Sequence, residues 1–243
     1  MLERDPSIMK GLISMRILTL IAILIGATGF AYFLAPTSQT PSFGPWGSPE
    51  EVIKRFDSIR GDFNKAIMST SAQTAHAAFV ASIDELEIER PHLLAHAFGE
   101  ALYQTGGVEH FVVCDAHFGF GCQHGFAGKA IAERGVEVTN ELDRICVETY
   151  TTRGTGCSHG IGHGLMGYLG DGSLVEALRA CQELSWQGAI AGCSSGVFME
   201  YNFRTMEIGA GMGTRPFDEM RRFEPCASDT PIYQESCYFE QPA

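Results

Sequence analysis

The chain has 243 residues, 17 Lys and Arg against 29 Asp and Glu, and a formal net charge of −12. That length holds one sizeable domain, and so acidic a balance excludes nucleic acid as a partner and repels anionic lipid from the outer surface. Eight cysteines are present but no C-x-x-C, which leaves thioredoxin-like, zinc-ribbon and c-type haem chemistry without a motif.

The first 16 residues carry Arg4, Lys10 and Arg16, and Ile17 to Ala35 then run 19 residues without a charge. At the helical rise that run spans roughly 28 Å, close to a hydrocarbon core, so 17–35 is predicted to be a transmembrane helix in the lipid bilayer. No Lys or Arg follows until Lys54. The positive-inside bias places residues 1–16 in the cytoplasm and the main domain on the periplasmic or extracellular side of a bacterial inner membrane. Pro36 directly after Phe33-Leu34-Ala35 is a poor cleavage context, so the segment reads as an uncleaved signal-anchor. Beyond residue 35 there remain 14 basic and 27 acidic residues, a formal charge of −13 on the outer part.

Residues 36–47, with Pro36, Pro41 and Pro45, read as a semi-extended linker. The outer domain, 48–243, opens on Ser48-Pro49-Glu50-Glu51, a helix start with a cap, a proline in the first turn and acids beside the positive helix end. Val52, Phe56, Ile59, Phe63 and Ile67 then mark one apolar stripe of an amphipathic helix. A second helix is predicted over about 71–89, and Pro91 starts a third. Phe111-Val112-Val113 is too short for a strand and reads as a helix end.

From there the cysteines set the frame. Cys114/Cys122, Cys146/Cys157, Cys181/Cys193 and Cys226/Cys237 are separated by 7, 10, 11 and 10 residues. The second member of three pairs opens a common phrase: Gly121-Cys122-Gln123-His124-Gly125, Gly156-Cys157-Ser158-His159-Gly160 and Gly192-Cys193-Ser194-Ser195-Gly196. Cys122 to Cys157 is 35 residues and Cys157 to Cys193 is 36, a period typical of two-helix repeat units. Leu94-Ala95-His96-Ala97-Phe98-Gly99 aligns as a degenerate first copy without its cysteines. An even number of cysteines in an exported domain reads as a disulfide framework, here with each pair bracketing one loop. Closing each loop stabilises the fold by roughly 3 kcal/mol in the chain-entropy account.

A cysteine, seven residues, a Gly-Cys and a following helix, with Glu176-Ala-Leu-Arg-Ala-Cys181 closing a unit, resembles the disulfide-stapled Sel1-like repeats, relatives of the tetratricopeptide repeats. The likeness covers about residues 90–240. The chain departs from it where His-Gly replaces the usual Leu-Gly and where the later cysteine pairs widen. The resemblance implies a helical-repeat architecture and partner binding, and no catalytic residue.

Histidine is the chemically suggestive residue type. His92, His96 and Glu100 are spaced i, i+4, i+8; His159 and His163 are i, i+4; and His124 occupies the register of His96 and His159. Stacked repeats bring equivalent positions together, so His96, Glu100, His124, His159 and His163 form a candidate site for zinc or another transition metal that takes N and O ligands. Glu200, after the third Gly-Cys, is placed to reach the same layer. The opposing reading gives each imidazole a hydrogen bond to its own loop, with Ser195 doing the same in the third copy. Cys157-Ser158-His159 as a nucleophile, Met199, Met206, Met212 and Met220 as copper ligands, and Gly209 to Gly213 as a phosphate loop are each weaker than a structural role.

The expected protein is all-α: one N-terminal transmembrane helix followed by a right-handed, solenoid-like stack of helix pairs stapled by disulfides. Its expected role is a membrane-anchored binding or assembly module for another membrane or periplasmic protein. The alternative is a histidine-based metal-binding protein or metal-dependent enzyme.

Overall fold

In a computed structural model, residues 40–83, 89–150, 155–185, 188–206, 215–216, 218–227 and 231–241 are described. The apolar segment 17–35 and its orientation lie outside them, as does the glycine run at 209–213. No helix among the described residues is long and apolar enough to cross a membrane. They form helices and turns with no strand, within a compact unit spanning Thr40–Ala243.

The first helix starts where the sequence placed it. Ser48 accepts from the Glu51 amide at 3.4 Å and its own amide donates to the Glu51 carboxylate at 2.8 Å, a capping box with Pro49 in the first turn. The single stripe is nevertheless split. Arg55 leaves helical geometry (φ −106°, ψ 9°), giving α1 (Pro49–Lys54) and α2 (Phe56–Ser69). Val52, Ile59, Phe63 and Ile67 stay buried across the break. The end of the expected linker is not a free spacer. Phe43 and Trp46 pack with ring centroids 5.1 and 5.6 Å from Phe63.

Ser71 caps α3 (Ala72–Ala81), accepting from the Thr74 amide at 3.1 Å. After α4 (Glu89–Gly106) comes a 3₁₀ segment, Gly107–Val113, which holds the Phe111-Val112-Val113 stretch. Then follow α5 (Gly121–Arg134), α6 (Val138–Tyr150), α7 (Thr155–Leu169), α8 (Leu174–Gln182), α9 (Cys193–Phe203) and α10 (Pro231–Phe239).

The packing has two ranks. Helices α2, α4, α5, α7, α9 and α10 each contact the next in that order. The 3₁₀ segment, α6 and α8 lie beside successive members of this row. Four disulfides, Cys114–Cys122, Cys146–Cys157, Cys181–Cys193 and Cys226–Cys237, have Cα separations of 5.4, 5.9, 5.6 and 5.3 Å, inside the ordinary range. The first three tie the end of a flanking segment to the first turn of the next row helix, and the fourth ties a turn to α10. All eight cysteines are buried.

Glycine sets the spacing along the row. A Cβ on Gly99 of α4 would strike the Cys122 carbonyl of α5, and one on Gly125 of α5 would strike the His96 carbonyl of α4. The same reciprocal contact recurs two helices on, Gly162 against Cys193 and Gly196 against His159. On the other face of α5, a Cβ on Gly160 would come 2.9 Å from the Gln123 carbonyl. Backbone therefore meets backbone at the histidine level, where any larger residue would separate the helices.

Candidate metal centre

The close approach of α4, α5 and α7 brings five imidazoles into one group. Ring centroids lie at 4.7 Å for His92–His96, 5.2 Å for His92–His124 and 5.4 Å for His96–His124. On the other side they lie at 5.3 Å for His124–His159, 4.4 Å for His124–His163 and 4.7 Å for His159–His163. His96, His124, His159 and His163 are buried and His92 is partly buried. Two triads, His92/His96/His124 and His124/His159/His163, each bring one ring nitrogen per residue within 4.8 Å of the others.

Within each i, i+4 pair the Nε2 atoms face one another: 3.1 Å between His92 and His96, and 3.1 Å between His159 and His163. A zinc–nitrogen bond of about 2.0–2.1 Å in tetrahedral geometry implies nitrogens about 3.3 Å apart. The helical spacing thus supplies one edge of such a tetrahedron almost ready-made.

The outer nitrogens fix the tautomers. His92 Nδ1 lies 2.7 Å from the Phe118 carbonyl, which can only accept, so Nδ1 carries the proton and Nε2 a lone pair. His163 Nδ1 lies 3.1 Å from the Glu200 carboxylate, with the same result. Glu200 also accepts from Thr205 at 2.6 Å and from the Met206 amide at 2.9 Å. Burial opposes ionisation of Glu200, but these bonds outweigh it and hold its pKa below the ordinary value. An oxygen acceptor behind an imidazole whose other nitrogen is presented inward is the usual support for a metal-ligating histidine.

The Phe118 carbonyl is held there at a conformational cost. Phe118, Gly119 and Phe120 are consecutive left-handed residues (φ 56°, 62° and 63°) inside the Cys114–Cys122 loop. Non-glycine residues in that region cost about 1–3 kcal/mol each, and such strain concentrates at functional sites.

The inner rings have no such partners. His96 Nδ1 and both nitrogens of His124 are buried without a hydrogen bond among the described residues. Burial, reinforced by neighbouring imidazoles, pushes His96, His124 and His159 well below the ordinary histidine pKa, and His159 is partly offset by the Gly192 backbone. All three are neutral at pH 7, the form that binds metal.

Four of the five residues singled out from sequence, His96, His124, His159 and His163, are in this group. Glu100 is not: it pairs with Arg60 of α2 at 2.5 Å. His92, noted only for its spacing, takes part, and Glu200 reaches the layer from α9 as a hydrogen-bond acceptor behind His163. The third-copy Ser195 donates to the buried Glu240, and the histidine series does not continue into α9. His76 and His117 gather instead around Asp115, at 3.7 and 2.8 Å.

No family model matches the chain, and neither a curated protein nor a solved structure matches it. The likeness to Sel1-like repeats rests on the spacing of cysteines and helices alone.

Proposed function

We propose that this protein binds zinc or another imidazole-preferring transition metal through His92, His96, His124, His159 and His163, on the outer side of a membrane to which residues 17–35 anchor it. The observation that carries the reading is the buried, unbonded imidazole of His124 between two histidine pairs, each already spaced like the edge of a coordination tetrahedron. Leaving buried polar nitrogens unpaired costs about 1–3 kcal/mol each; a metal ion removes that cost. The all-nitrogen donor set suits Zn, Cu, Ni or Fe rather than Ca or Mg. In this reading the helix row is a short right-handed solenoid whose role is to hold the imidazoles in register. An assembly module for another membrane or periplasmic protein is compatible with the same architecture, but it is the histidine group that selects metal binding.

The test is elemental analysis of the purified full-length chain after loading with zinc at neutral pH and removal of excess ion. Retained zinc is expected, and His159→Ala is expected to retain less of it while keeping its helical circular dichroism. A wild-type chain that retains no zinc, copper, nickel or iron would sink the proposal.

A further inference from the structure

His124 belongs to both triads, yet a neutral imidazole has one lone pair and one N–H. As a neutral ligand it serves one triad and leaves a buried N–H without a hydrogen bond among the described residues, whereas buried polar groups are ordinarily paired. The two flanking pairs share their internal spacing, with Nε2 atoms 3.1 Å apart in each and ring centroids 4.7 Å apart in each, although His124 lies closer to His163 (4.4 Å) than to His92 or His96 (5.2 and 5.4 Å). Each pair has one ring anchored through Nδ1 to an oxygen, Phe118 on one side and Glu200 on the other. Nothing in that arrangement makes one pair a ligand set and the other a support. Helix α5, which carries His124, packs between α4 and α7, which carry the pairs.

We infer that the site holds two metal ions bridged by the His124 imidazolate, one ion bound by His92, His96 and one His124 nitrogen, the other by His159, His163 and the second His124 nitrogen. The inference rests on the metal-binding reading above and adds the number of ions and the bridge. Formation of the bridge breaks the His124 N–H bond, releases that proton to solvent and forms a metal–nitrogen bond at each ring nitrogen; no electron is transferred. Two divalent ions bring four positive charges, of which the imidazolate and Glu200 offset two. Three protein nitrogens per ion fall one short of the four a tetrahedral ion takes. A water, hydroxide or small anion completes each, and the residual positive charge favours the anionic ones.

Copper(II) is the informative probe, because an imidazolate bridge couples two copper spins and weakens their paramagnetic resonance signal. The full-length chain is loaded with copper(II) without reductant, freed of excess ion, and measured for copper per chain and for integrated spin. The expected result is two coppers per chain with clearly less signal than two isolated ions give. Two coppers with full signal would overturn the bridge. One copper with full signal would overturn the two-ion site and leave the metal reading standing. No bound copper, nickel, iron or zinc would end both. His92→Ala, at the partly buried edge of the group, should bind one copper with its full signal. A variant that still shows two coupled ions would contradict the assignment, and the wild-type measurement decides the matter even if the variant does not fold.

Discussion

Three buried imidazoles make stability depend on proton concentration near neutrality. His96, His124 and His159 stay neutral in the fold, with pKa values held well below the ordinary one, while the unfolded chain protonates each near pH 6.5. Below that pH the unfolded state binds more protons than the native state, so stability falls as pH falls and is fully restored above about pH 7.5. Each residue contributes up to about 1.4 kcal/mol per pH unit, and the three together up to about 4. His76 and His92, also lowered by burial, act in the same direction. Glu200, with its pKa below the carboxylate value, adds its share only in more acid solution. Urea titration of the chelator-treated chain should therefore show a much lower midpoint at pH 5.5 than at pH 7.5. An unchanged midpoint would mean that the imidazoles are hydrated or already charged in the fold. Protons also compete with metal for the same nitrogens, so retention weakens over the same range.

Between helices, the decisive contacts are glycine against backbone. Gly125→Ala and Gly196→Ala each place a methyl group onto a carbonyl of the neighbouring helix. Overpacking of this kind costs typically about 1–3 kcal/mol, and here it also pushes α4 from α5 or α9 from α7. Both variants should melt at lower temperature, and Gly125→Ala should retain less metal. Gly61 is the control: it is helical in α2 and a Cβ there meets nothing within 4 Å, so Gly61→Ala should stabilise by about 1 kcal/mol. These contacts also explain what was legible in the sequence. The register His96/His124/His159 could be read because repeats superpose equivalent positions. The choice between His92 and Glu100, one helical turn to either side of His96, could not be read. Both lie on one stripe of α4, and only the crossing of α4 over α5 and α2 decides that the earlier turn meets His124 while the later one meets Arg60. The break at Arg55 was hidden for a related reason: the apolar stripe continues through it, so periodicity carries no mark of the kink. The left-handed run Phe118–Phe120 left no signal because only its central residue is glycine.

At the scale of the whole chain, eight buried cysteines in four bonds call for an oxidising compartment. Together with the uncharged stretch at 17–35 and its basic N-terminal flank, this leads to a definite expectation. Protease added to intact spheroplasts should digest the domain from residue 48 onward, and protection of the domain would overturn the proposed topology.

The order of the bonds has a consequence for how such a chain matures. Eight cysteines admit 105 pairings, yet each bond here joins a cysteine to the next one along the chain, with separations of 8, 11, 12 and 11 residues. No bond waits for a distant partner and none crosses another. In a chain exported N-terminus first, as the proposed topology requires, each thiol would meet its mate before the following pair emerged. An oxidant that joins neighbouring thiols in order of appearance would then suffice to make this set of bonds.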